Sequence, residues 1–312
     1  MVMFRAIPPT RTARLLGVLA ALAVIVPHAA NALEMSGDKE VARMVTFGGA
    51  CAKCELSGRK LSGAQFNGAN FSGAALVGSD LREARFLGAV FANADLSRAD
   101  LSDSQMVGAN FSNANLSNAR LRDVEAKGVV FAGATMNHVD LRDTRAEGSN
   151  FNRANLTAAQ FNDTSLQGAV FTKVEAKGAS FRDAEMQGAN LSSGRFDQAS
   201  FRDTNLDGAV LSGASFNGAD FRDASLRHTN LFGADLSRAR GLDQEQLDEA
   251  CGDSSTRLPV GLSVRNCRGM SVHWTGWRAP PTPPMPPTPP TPRTPATPPT
   301  PPTPATPPTP RY

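Results

Sequence analysis

The chain has 312 residues with 32 Lys plus Arg against 29 Asp plus Glu, and residues 1–32 hold three Arg and no acid, leaving 32 − 3 = 29 of each sign beyond them. A broadly basic nucleic-acid binder is therefore disfavoured. Of 20 aromatic residues 17 are Phe, and 18 of the 22 Pro lie between Pro280 and Pro310, so composition is segregated along the chain and one ordinary mixed domain is excluded.

Arg5, Arg11 and Arg14 precede the apolar run Leu15–Val26, and Ala30-Asn31-Ala32 supplies a small-x-small cleavage pattern. Residues 1–32 thus read as a secretory signal peptide cut after Ala32. The 12 apolar residues before Pro27 fall short of the roughly 20 that span a bilayer. No later stretch is apolar enough to span one, and no Cys follows Ala32 directly to carry a lipid. The mature chain is expected to be exported, periplasmic or secreted, with no transmembrane segment.

Residues 33–55 read as an N-terminal cap and contain Cys51 and Cys54. With Cys251 and Cys267 these make four cysteines, all in the exported part, where an oxidising compartment favours disulfides. Glu55, not His, follows Cys54, so haem attachment is excluded. No thioredoxin-like βαβ pattern surrounds the pair, so a structural role is preferred to redox chemistry.

From Leu56 to Leu236 every fifth residue comes from a small set: 37 positions hold 17 Leu, 14 Phe, 3 Met and 3 Ala. Two residues earlier the matching series from Cys54 to Ala234 holds 23 Ala. Two positions face inward and three outward, which combines a short stretch of strand alternation with a corner and fits neither a helix nor a continuous strand. At a spacing of 20 the large residues form columns. Phe71, Phe91, Phe111, Phe131, Phe151 and Phe171 give way to Leu191, Leu211 and Leu231, while Leu61 through Leu141 give way to Phe161, Phe181, Phe201 and Phe221. Four five-residue sides then close one coil, and the exchange keeps its interior volume constant, as close packing requires. About nine coils, 37/4, stacked at about 4.8 Å give a rod roughly 45 Å long over residues 56–240.

Units such as Ala94-Asp95-Leu96-Ser97-Arg98 and Ala234-Asp235-Leu236-Ser237-Arg238 resemble the pentapeptide-repeat family, A(D/N)LXX. The resemblance implies an all-β solenoid, a right-handed quadrilateral parallel β-helix. Some members of that family resemble DNA in shape and charge and bind type II topoisomerases.

Stacked coils expose unpaired edges at both ends, so caps are expected. Residues 241–278 read as the C-terminal one, with Asp243 as N-cap, Gln246 three residues on, Leu247 and Ala250 on one helix face, Gly252 as stop and an extended strand after Pro259. The two cysteine pairs then lie at opposite ends, about 45 Å apart, which rules out one four-Cys zinc site. The expected bridges are Cys51 to Cys54 and Cys251 to Cys267.

Residues 279–312, rich in Pro and Thr, cannot bury a core and are expected to be a polyproline II spacer, open to glycosylation. Trp274 and Trp277 just before them are expected to pack on the cap.

Outward residues also stack every 20 positions. Arg82, Arg122, Arg142, Arg182, Arg202 and Arg222 form one column, beside Glu83, Asp103, Asp123, Asp143, Asp163, Asp183, Asp203 and Asp223. This ladder is expected to be a self-neutralising face or, functionally, a ribbon that holds an envelope polysaccharide. Residues 51–240 contain 21 Lys plus Arg and 21 Asp plus Glu, the wrong balance for a DNA mimic. His138 and His228 fall on different sides with no nucleophile converging on either, so no enzyme, cofactor or metal is expected. The expected function is a non-enzymatic exported scaffold or protein-binding rod.

Overall fold

The computed structural model describes residues 49–267; the expected signal peptide with its cleavage site at Ala32, most of the N-terminal segment, Trp274, Trp277 and the Pro/Thr-rich segment 279–312 lie outside them. The described chain is a parallel β-solenoid. One residue in every five bridges the residue 20 positions on, from Ala50↔Asn70 to Asp220↔Arg240. Cys51 and Cys54 therefore already belong to the first coil, since Ala50 and Glu55 on either side of them are in the ladder.

The unit centred on Phe71 illustrates how the repeat satisfies its backbone. The Phe71 N–H donates to Val90 O at 2.7 Å and the Gly73 N–H to Ala92 O at 2.9 Å in the next coil. The Ala75 N–H reaches back to Cys54 O at 2.9 Å, and the Ala74 N–H closes the corner onto Phe71 O at 3.0 Å. The Ser72 N–H would be orphaned, but Asn70 Oδ1 accepts it at 3.0 Å. The same bond joins Asp95 to the Ser97 N–H, Asp100 to Ser102 and Asn110 to Ser112. Asp or Asn before the central residue is thus an internal acceptor for a corner N–H that the ladder cannot reach.

The corner also dictates its third residue. This position has φ near +60°, as at Gly73 and Asn113, the left-handed conformation that a type II turn demands. Gly, Asn and Asp meet it at least cost, which accounts for their recurrence there.

Inside, the large residues stack in register. Phe91 lies parallel to Phe71 and Phe111 at centroid distances of 4.9 and 4.7 Å. The Phe161–Phe181–Phe201–Phe221 column repeats the arrangement at 4.9 to 5.1 Å. Where the two columns overlap, Phe171 meets Phe161 and Phe181 edge-on at 5.9 and 5.7 Å. Several buried hydroxyls donate to a carbonyl 23 residues earlier: Thr144 to Leu121 O at 2.6 Å, Ser149 to Ala126 O at 2.6 Å and Thr164 to Leu141 O at 2.9 Å.

After the last regular coil, Asp243 caps helix α1, Gln244–Leu247, in a capping box with Gln246. Leu247 and Ala250 are fully buried, and Gln246 Nε2 donates to Phe221 O and Ala224 O at 2.8 Å each, fastening the turn to the coil below. Gly252 does not stop the helix. The helix ends at Leu247, and Gly252 lies in strand β1, Cys251–Gly252, because Cys251 bridges Asn230 and continues the solenoid ladder. Strand β2, Arg265–Asn266, pairs parallel with β1. Disulfides join Cys51 to Cys54 and Cys251 to Cys267.

Asp253 ties this segment to the rod. Its Oδ1 accepts from the Gly233 N–H at 3.1 Å, Ser255 Oγ at 2.7 Å and the Thr256 N–H at 3.1 Å. The Ser255 hydroxyl foremost, with the Gly233 N–H, holds its carboxyl down at about 2, below the ordinary 3.8. A depressed folded-state value stabilises above the unfolded one and is lost as pH falls through the folded one. Accordingly, hydrogen exchange at Gly233 and Thr256 is expected to accelerate as pH is lowered from about 4 to about 2, after correction for intrinsic rates, and Asp253→Asn should abolish that step. A wild-type profile parallel to the variant's would refute it.

Candidate functional site

A solid interior leaves chemistry to the outward residues. The side carrying the Arg column has the highest density of charge, and its geometry follows from the corner described above. Asp80, Asp140 and Asp220 are the acceptors preceding Leu81, Leu141 and Phe221, and each takes the backbone N–H two residues on at 3.2 to 3.3 Å. That residue is Arg in all three, so its guanidinium folds back onto the same carboxylate. Arg82 donates Nε and Nη2 to Asp80 at 2.9 and 2.8 Å, and Arg142 does so to Asp140 at 2.8 and 2.7 Å. Arg222 makes the same fork on Asp220, which is almost buried.

These bonds set the local electrostatics. Hydrogen bonding from Arg82 and from Arg222 holds the Asp80 and Asp220 carboxyls below the usual range. Burial pushes the Asp140 carboxyl up, but the Arg142 guanidinium and backbone N–H, with the charge of Arg122, carry it below that range. Arg122, which follows Arg120 instead of an acid, places Nε 3.2 Å from Asp140 Oδ2 in the neighbouring coil.

Arg182 and Arg202 differ. The preceding acceptor positions are Ser180 and Ser200, and neither Arg makes an ion pair among the described residues. The structure does not bring the Arg column together with the adjacent acids. Asp123, Asp143, Asp183, Asp203 and Asp223 are exposed, have φ between 56° and 61°, and form no ion pair with the Arg column. Their recurrence is turn chemistry, Asp being tolerant of a left-handed backbone. The acids that matter to the Arg residues, Asp80, Asp140 and Asp220, were missed in the sequence, although the Asp-x-Arg spacing was available as the signal.

Arg142 is one of two Arg on the half-buried Asp140, so Arg142→Ala is expected to cost under about 1 kcal/mol, Asp140 keeping Arg122 and its backbone donor. Chemical denaturation checks this; a loss several times larger would mean that the fork is structural.

Elsewhere, His228 Nε2 lies 3.4 Å from Glu249 Oε2, with both side chains exposed, and His138 occupies a left-handed corner. An open cleft of about 380 Å³ between the last coil and α1 is lined by Asp223, Arg227, Asp243 and Glu245, with Arg227 already forked onto Asp207 at 3.0 and 2.6 Å. Among the described residues no His, Cys or carboxylate cluster could hold a metal, and no helix is long and apolar enough to cross a membrane.

The repeat geometry agrees with family comparison. A model described as pentapeptide repeats (8 copies) matches residues 51–86, 76–113, 84–123, 164–203 and 199–238, and one described as a pentapeptide repeat region matches residues 104–171. The chain belongs to the pentapeptide-repeat family. Together the matches span residues 51–238, 238 − 51 + 1 = 188 of 312. Among solved structures, the chain is similar to HetL, a pentapeptide repeat protein involved in heterocyst differentiation regulation from the cyanobacterium Nostoc sp. strain PCC 7120. The identity is 25%, over 66% of this chain and 90% of HetL, with a TM-score of 0.28. It is similar to full-length QnrB1, a plasmid-mediated fluoroquinolone resistance protein, at 23% identity over 66% and 94%, with a TM-score of 0.32. A pentapeptide repeat protein from the Arabidopsis thaliana thylakoid lumen is 31% identical over 32% and 69%, with a TM-score of 0.23. No curated protein sequence matches.

Proposed function

We propose that the protein is a non-enzymatic, exported scaffold of the cell envelope, a right-handed four-sided rod of about nine coils whose outward residues bind a protein partner. The observation that carries this reading is the uninterrupted ladder from Ala50↔Asn70 to Asp220↔Arg240 around an interior filled by Phe and Leu. Such a body is rigid and holds its outward side chains on a fixed lattice, which suits display. Disulfides at both described ends and the Arg-bearing, acid-free start of the chain support export. A DNA-like role finds no support in a repeat region of 21 cations and 21 anions.

A second reading, binding of an acidic envelope polysaccharide, is favoured by one observation: Arg182 and Arg202, one coil apart at about 4.8 Å, form no ion pair among the described residues. The experiment is affinity capture from an envelope extract with the mature chain and with Arg182→Ala, Arg202→Ala. A protein recovered equally by both supports the scaffold. Polymer recovered by the wild type and lost by the variant supports the second reading, and recovery of neither defeats both.

A further inference from the structure

The side opposite in character to the Arg ladder is nearly uncharged and strictly alternating. Its outward rungs read Asn70, Val90, Asn110, Val130, Asn150, Val170, Asn190, Val210, Asn230, all half-buried, and each bridges the next. Over the whole side and its corner residues, from Asn70 to Gly233, the only charges are Arg153 and Lys173.

The alternation orients donors. Oδ1 of all five Asn is committed to the backbone N–H two residues on, at 2.9 to 3.0 Å. Each carboxamide Nδ2 is thereby turned away from its own corner, and none has a hydrogen-bond partner among the described residues. The face is a row of unpaired donors every second coil, about 9.6 Å apart, with a Val shelf between each pair. At its C-terminal end Phe232, next but one to Asn230, leaves 38% of its surface exposed.

A ligand for this row needs acceptors at the same interval, apolar rings between them, and little charge. The chain contains such a segment. From Thr282 to Thr309 every third residue is Thr, with Met285 the single exception, most of the rest is Pro, and Arg293 is the only charge. A Pro-rich chain in polyproline II repeats every three residues, about 9.3 Å, with its carbonyls free of internal partners. One turn therefore matches two coils, and the mismatch accumulates to only about 1.2 Å over the four Asn intervals.

The chain also leaves the described region in the right place. Cys251 bridges Asn230, the last rung, and Cys267 is bonded to Cys251 with Cα atoms 5.1 Å apart. The 282 − 267 = 15 steps to Thr282 reach up to about 50 Å, ample to turn back. In polyproline II, residues 282–309 would extend about 84 Å against about 38 Å of ladder. Tethering at the ladder's end favours this occupant over any free one through effective concentration.

We propose that the Asn/Val side is a track for a polyproline II strand and that its occupant is the protein's own segment within Thr282–Thr309, folded back along the rod with Pro rings on Phe232 and the Val shelf. Thr hydroxyls and backbone carbonyls accept from the Asn Nδ2 row.

The test uses the full mature chain. Trypsin cleavage after Arg293 is followed by mass and compared with cleavage of a synthetic peptide of residues 282–309, and small-angle scattering gives the particle's maximum dimension. Val130→Lys with Val210→Lys places charge on the track; Thr135→Lys with Ser215→Lys places it on the adjacent side. The wild type should be cut several-fold more slowly than the peptide and have a maximum dimension near that of the rod. Only the track variant should gain both faster cleavage and a longer particle. Wild-type cleavage at the peptide's rate would overturn the proposal without any variant. So would equal responses of the two variants, or protection accompanied by a concentration-dependent rise in particle mass, which would place the segment on a second copy.

Discussion

Replacing Phe131 by Ala is expected to lower stability by about 3 to 5 kcal/mol. The ring is completely buried and stacks between Phe111 at 5.4 Å and Phe151 at 5.1 Å. Its own backbone is clamped to the coils on both sides, the Phe131 N–H to Asn150 O at 2.7 Å and the Val130 N–H to Ala109 O at 3.0 Å. The walls of the cavity are therefore spaced by the ladder and cannot collapse into it, which places the cost toward the upper part of the range. In a solenoid each coil meets only its neighbours, so the defect divides the rod into two stacks coupled more weakly. Chemical denaturation should show a reduced midpoint and a broadened transition. A loss as small as that expected for Arg142→Ala would mean that inward and outward registers are misassigned.

The inward register was legible because volume is conserved in the sequence itself. Where Phe171 is followed by Leu191, Leu141 is followed by Phe161, and the structure shows these columns meeting edge-on across the interior. Gly194 extends the same logic, since a Cβ there would lie 2.6 Å from the Phe196 ring. The outward register was legible only as periodicity. Arg142 and Asp143 are adjacent in sequence and look like partners, yet the corner turns Asp143 into a left-handed conformation and directs the guanidinium back to Asp140. Period alone cannot distinguish a residue kept for its charge from one kept for its φ. The helix stop failed for a related reason. Gly252 was read by local propensity, whereas Cys251 answers to Asn230, a partner far away in sequence. The Asn/Val alternation is plain in the sequence once the 20-residue period is known, but only the Oδ1 bonds show which edge of each amide is left over.

Removing the second disulfide, by Cys251→Ser with Cys267→Ser, is expected to cost about 3 kcal/mol, the loop-closure value for the 15 residues between them. The pair Cys51 and Cys54, three positions apart, closes a much shorter loop, and the same relation gives about 2 kcal/mol. The loss should be local before it is global. The last coil depends on the segment that the bond retains: the Leu231 N–H donates to Cys251 O and the Leu236 N–H to Arg257 O, both at 2.8 Å. Without the bond, β2 is held by its two-residue pairing with β1, the Cys267 N–H on Gly252 O and the Gln244–Ser263 hydrogen bonds just before it. Hydrogen exchange at Leu231 and Leu236 should therefore accelerate in the double variant, while Phe131 in mid-rod keeps the protection set by its neighbouring coils. Unchanged exchange at Leu231 and Leu236 would show that α1 and Asp253 suffice to close the end and that the disulfide adds nothing to it. Uniform acceleration, with Phe131 included, would mean that the rod unfolds as one cooperative unit from end to end.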